Sequence, residues 1–208
     1  MRLNVAAGLT LSLVILPAAV LAQNVSRTFA GTTWGESEDE TKARITAAGF
    51  EFSRKDSLGD LVFDGEAMGY ASRVYARQTP IGELVSVIVL LRTPDQEAIP
   101  TWRAMLHILT EKYGQPTAVL ERFESPYKQG DGKAEQAILE GKGAISASWG
   151  REEEGLMRLE VTDKLAVRVA YESKDWPQES DRRTGKISSG ASSGGKAKRD
   201  SAPASNPF

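Results

Sequence analysis

Between Glu83 and Arg92 stand seven aliphatic residues and one serine, in the order LVSVIVLL. A half-buried strand alternates apolar and polar side chains, whereas this run is apolar on both of its faces. It therefore predicts a central strand. The chain must supply the neighbours. Residues 156–162 alternate Leu159 and Val161 with Arg158, Glu160 and Thr162, and residues 165–172 alternate Val167, Val169 and Tyr171 with Arg168 and Ala170. Both fit half-buried antiparallel strands. Further strands are predicted at 60–63, 66–77, 117–125 and 143–149, with a short one at 27–30. Asp64-Gly65 is read as a type I′ hairpin turn, and Glu152 to Gly155 as a second hairpin tip. Strand character around 136–140 is left open.

Two helices cover this sheet. Ser37 with Glu40 three residues on is a capping box, in which each side chain satisfies an orphan backbone N–H of the first turn. Glu38 and Asp39 add negative charge at the positive end of the dipole. This helix runs to Ala48 and closes at Gly49. The second is introduced by Thr93-Pro94-Asp95-Gln96, has its main body at 100–113, and ends at Gly114 with Pro116 beyond. Trp102, Met105, Leu106, Leu109 and Tyr113 lie on one face at helical spacing and are expected in the core. The fold class is α+β: two sequential helix-then-antiparallel-strands units, 32–93 and 94–176, forming a sheet covered by two helices.

No cysteine occurs in the 208 residues, so stability has to come from a buried core rather than disulfides. The N-terminus reads as a cleavable signal peptide over 1–22. Arg2 is followed by an uncharged apolar run, then Pro17, then Val20-Leu21-Ala22 as the cleavage site, which leaves a mature chain from Gln23. The run is about a dozen residues, short of the roughly 20 that a spanning helix needs. The expected location is periplasmic or secreted, with no stable membrane span after cleavage. The α+β domain is assigned to 23–176. Residues 177–208 are rich in Ser, Gly, Ala, Lys and Pro and are read as a disordered tail, since they offer too little apolar surface to offset ordering entropy.

Two local patterns look familiar. Trp34-Gly35-Glu36-Ser37 leads into a helix that closes at Ala48-Gly49, and Leu109-Thr110-Glu111-Lys112-Tyr113-Gly114-Gln115-Pro116 closes the second helix, with Trp149-Gly150 in a later strand. Together they resemble small exported bacterial proteins made of helix-then-antiparallel-sheet modules, the plan shared by the β-lactamase-inhibitor protein and the small outer-membrane-assembly lipoproteins. The resemblance spans most of 34–172 and implies a module that binds another macromolecule on its sheet face. The chain lacks the lipoprotein cysteine and the inhibitor's disulfides, and no family residue transfers position by position.

Residues 23–176 hold 19 Lys and Arg against 25 Asp and Glu, a net of −6, while the tail carries +3. An acidic body argues against nucleic acid, whose phosphates need clustered cations. His107, the single histidine, is placed on the solvent face of the second helix between Arg103 and Glu111. A general base needs a cleft and a partner. With one histidine and no cysteine, no transition-metal site is expected. Glu36, Glu38, Asp39 and Glu40 are assigned to capping, and Glu152, Glu153 and Glu154 to a solvated turn. Asp60, Asp64 and Glu66 flank the expected hairpin and are the carboxylates a hydrolase would draw on. Asp131-Gly132-Lys133 does not continue as a calcium loop, and neither a phosphate loop nor a serine nucleophile elbow is found. Trp102 is assigned to the core. Trp34, Trp149 and Trp176 are read as staples of loops onto the sheet, and Phe208 as a terminal aromatic without strand alternation. No catalytic, cofactor-binding or metal residue is assigned, and no cofactor is expected. The leading expectation is an exported non-enzymatic envelope or secreted protein that binds a protein or cell-wall component. The alternative is a periplasmic carboxylate-based hydrolase, and a third reading has the basic tail tether the domain to anionic surfaces.

Overall fold

The computed structural model describes residues 28–94 and 97–185. The expected signal peptide and most of the expected tail lie outside them. The elements follow the order α1 (Glu38–Ala47), β1 (Glu51–Lys55), β2 (Leu61–Ala67), β3 (Tyr70–Gln78), β4 (Leu84–Leu91), α2 (Ala98–Tyr113), β5 (Ala118–Phe123), α3 (Ala134–Leu139), β6 (Gly143–Arg151), β7 (Gly155–Val161), β8 (Val167–Glu172) and α4 (Trp176–Arg183). The fold is α+β, as expected.

The eight strands form one antiparallel sheet in the order β1-β2-β3-β4-β8-β7-β6-β5. Each half is a four-stranded meander, and the halves meet last strand to last strand, with Val89 opposite Val169. The apolar run thus occupies β4, the internal seam. Helix α1 starts at the capping box: Ser37 N–H donates to Glu40 Oε2 at 2.9 Å and Ser37 Oγ accepts from Glu40 N–H. Glu36 is not part of this cap. It is buried, accepts from Thr33 N–H at 2.9 Å, and pairs with Arg44 Nε at 2.9 Å. Backbone bonds from Gly35 N–H to Leu84 O and from Leu84 N–H to Glu36 O seat the entry to α1 on β4.

One sheet face carries the core. Alternate residues such as Phe63, Val74, Val89, Val169, Leu159 and Ala147 stand opposite one another across the strands. Ile45 of α1, Trp102, Met105 and Leu109 of α2, and Ile138 of α3 close over them. Trp149 is fully buried and its indole N–H donates to Gly114 O at 2.8 Å, which fastens the end of α2 to β6. Three helices, not two, cover this face.

Several sequence expectations need correction. Asp64-Gly65 is not a turn: both residues are inside β2, and the reversal comes at Met68-Gly69, each with positive φ. Gly65 serves packing instead, because a Cβ there would lie 2.6 Å from Phe50 Cδ1. Residues 28–30 are not a strand; Ala30 and Gly31 turn with positive φ, and Phe29 packs edge-on against Phe50 at 5.3 Å. Residues 134–139 are helical, which resolves the open region around 136–140. Helix α2 begins at Ala98, with Pro100 in its first turn where no intrahelical N–H bond is lost. Asp95 and Gln96 lie outside the described residues. Strand β1 has no sequence signal, being an exposed edge strand with a bulge at Ser53. The domain does not stop at Trp176, since α4 carries the ordered chain through Arg183.

Candidate functional site

Helices α1, α2 and α3 leave the other face of the sheet to α4 alone, and α4 covers only one end of it. Across the registers this face presents Arg54 of β1, Arg73, Tyr75 and Arg77 of β3, Ile88 and Leu90 of β4, Arg168 and Ala170 of β8, Arg158 of β7 and Arg122 of β5. Arg92 adds to it just past β4. Glu51, Asp64, Glu66, Glu160 and Glu172 supply the opposing charge. Among the described residues, no strand places a lysine there. The body of the chain is net acidic, yet this face is arginine-rich.

Carboxylates hold Arg73, Arg92 and Arg168 in place. Asp64 Oδ1 accepts from Arg73 Nε at 2.9 Å and Arg92 Nη2 at 2.8 Å, and these guanidiniums hold its carboxyl below the usual aspartate range. Arg168 pairs with Glu160. Ile88 and Ala170 are buried between the long side chains. Fixed arginine forks over an apolar floor meet planar acceptors without much further loss of side-chain freedom.

At one end α4 is clasped onto this face by ions. Arg183 donates to Asp60 Oδ1 at 2.7 Å, to Glu179 Oε1 at 2.7 Å and to Gln78 O at 2.6 Å. Arg182 gives Glu179 two further hydrogen bonds. The Trp176 ring lies between the Arg77 guanidinium at 4.8 Å and that of Arg183 at 5.8 Å. Burial pushes the Asp60 carboxyl up despite Arg183 and Arg77 beside it. Burial also pushes Glu179 up, but the hydrogen bonds from Arg182 and Arg183 outweigh it and hold that carboxyl down. Sequence spacing had no means of showing this clasp, because Arg183 and Asp60 are joined only by the fold.

Between α4 and the sheet lies a cavity of about 240 Å³ lined by Arg158, Glu172, Ser173, Trp176, Ser180, Asp181 and Glu152. Burial raises the Glu172 carboxyl above the usual glutamate range. The three carboxylates singled out in the sequence do not gather in it. Asp60 stands just before β2 and is bound by α4, Asp64 within it is bound by Arg73 and Arg92, and Glu66 two residues on is exposed. Strand rise puts Asp60 and Asp64 roughly 13 Å apart, beyond a hydrolytic carboxyl pair. His107 is exposed on α2, with Nε2 3.4 Å from Glu111. Glu153 and Glu154 lie in the exposed β6–β7 turn. No group of His, Cys, Asp or Glu suited to a metal ion occurs among the described residues, and none of their helices is long and apolar enough to cross a membrane. Comparison with protein-family models, curated proteins and solved structures finds no match for this chain.

Proposed function

We propose that this chain is an exported, non-enzymatic binding module of the periplasm or the extracellular space. It engages an envelope protein or cell-wall component through the sheet face that α1, α2 and α3 leave open. The observation that carries the reading is the composition of that face: arginines, Tyr75, Leu90 and Ile88, without lysine. Protein interfaces favour arginine and aromatic residues and disfavour lysine. The signal-peptide pattern of residues 1–22 and the module resemblance point the same way.

The test is affinity capture from envelope extract with three baits: residues 23–208, the same chain carrying Arg73→Ala and Tyr75→Ala, and a helix-face control carrying His107→Ala and Glu111→Ala. The reading predicts that a bound species is retained by the first and third baits and lost from the second. Equal retention by all three would sink it.

One observation favours the rival reading of a carboxylate-based hydrolase: Glu172, with its raised carboxyl, shares a cavity with Glu152 and Asp181. Saturable hydrolysis by purified 23–208 that disappears on Glu172→Gln would replace the binding reading with this one.

A further inference from the structure

The two edges of the sheet are built differently. At β1 the register jumps between Phe52 and Arg54, and Arg54 and Lys55 follow, so a bulge and cations blunt that edge. Strand β5 has no such bulge, and Arg122 is its single cation. Its six residues pair with β6 in unbroken register, and it contains neither proline nor lysine. Val119 is 53 % and Leu120 47 % exposed. Glu124 N–H donates to Lys142 O at 2.8 Å, continuing the ladder. Antiparallel pairs alternate between bonded and unbonded, so Arg122, Leu120 and Ala118 bond to β6. Val119, Glu121 and Phe123 turn their N–H and C=O groups to the open side.

Beside this edge lies a cleft of about 610 Å³, with α2 on one side and the 129–132 loop on the other. Ile99, Phe123 and Ile145 give it apolar walls, and Glu121, Asp131 and Glu135 outnumber its one cation, Arg103. The loop wall is fixed: the Asp131 carboxylate accepts from Lys128 and Lys133 N–H, and Gln129 donates to Glu121.

We propose that the β5 edge and this cleft form a second binding site, which takes an extended strand from a partner protein whose cleft-facing side chains, every second residue, are in turn apolar and cationic. The partner strand adds to the sheet through the open groups of Val119, Glu121 and Phe123. Its side chains on the cleft side, about 7 Å apart along a strand, set an aliphatic group against Phe123 and Ile145 and a lysine or arginine against Glu121, Asp131 and Glu135. Backbone pairing supplies affinity and the cleft supplies the charge preference. A two-fold axis at Leu120 sets Val119 opposite Glu121 and Ala118 opposite Arg122, so a second copy of the chain is the competing occupant that the experiment must separate from a basic partner strand. The site does not depend on the arginine-rich face, so each stands or falls by its own variants.

Fluorescence anisotropy of residues 23–208 with labelled acetyl-Thr-Val-Thr-Lys-Thr-Val-Thr-amide, which carries valine and lysine on one face, and with its counterpart carrying glutamate for lysine, tests this. The basic peptide is expected to bind at least about tenfold more tightly than the acidic one, a difference of about 1.4 kcal/mol. Val119→Pro removes only an outward N–H, which an edge strand tolerates; it should abolish binding. Glu121→Lys keeps the backbone and should abolish or invert the charge preference. Three results would each overturn the proposal: equal binding of both peptides, binding untouched by Glu121→Lys, or a dimer in sedimentation that Val119→Pro dissolves.

Discussion

Replacing Arg183 with methionine removes the centre of the α4 clasp while keeping a side chain of similar length. The Arg183, Asp60 and Glu179 side chains are 10 %, 3 % and 6 % exposed, so the ion pairs are well shielded from water. Removing one partner of a buried pair costs about 3–5 kcal/mol because the other charge stays buried. Here Asp60 keeps Arg77 at 3.6 Å and Glu179 keeps Arg182 at 2.5 Å. The expected loss is therefore lower, about 2–4 kcal/mol at pH 7, or roughly 5–15 °C in Tm for a body of this size. The loss should depend on pH. Asp60 has a raised folded pKa, so its ionisation lowers stability as pH rises through that value, and removing Arg183 lifts the value further. Glu179 has a lowered folded pKa, so its contribution is present above its unfolded pKa and fades as pH falls through the folded one. Without Arg183 that contribution shrinks. Both effects make the variant's deficit largest at neutral pH and smaller near pH 4. Urea denaturation of wild type and Arg183→Met at both pH values measures it. A deficit below about 0.5 kcal/mol at pH 7, the scale of an exposed pair, or one equal at both pH values, would refute the reasoning.

Other outcomes follow from the same geometry. Gly65→Ala should cost about 1–3 kcal/mol in urea denaturation, the range for overpacking, because the new methyl meets the Phe50 ring. Ser37→Ala should cost about 1 kcal/mol through loss of the cap of α1, measured in the same way. N-terminal sequencing of the exported chain should begin at Gln23; an intact chain starting at Met1 in the cytosol would contradict export.

The central strand was legible because seven aliphatic residues in eight positions read as a strand paired on each side, and the cap of α1 because Ser37 and Glu40 act within one turn. The features that escaped were those whose reasons lie far away in sequence. Gly65 looked like turn chemistry, whereas its lack of a side chain is required by Phe50 across the fold. Helix α4 has Trp176 as its single large apolar side chain, and the groups that order it, Asp60 and Gln78, precede Arg183 by more than a hundred residues. The arginine-rich face is a product of register: Arg54, Arg73, Arg168 and Arg158 are scattered along the chain and become one surface only once the eight strands are placed in order. Strand β1, exposed and bulged, carries no alternation to read.

Under the proposed function the open sheet face, and not the helix-covered side, meets the partner. A photo-crosslinking phenylalanine analogue placed at Tyr75, and in a second strain at His107, tests it in the cells that make the protein. Adducts of a discrete partner from position 75 and none from position 107 are predicted. Adducts from position 107 with none from position 75 would contradict it.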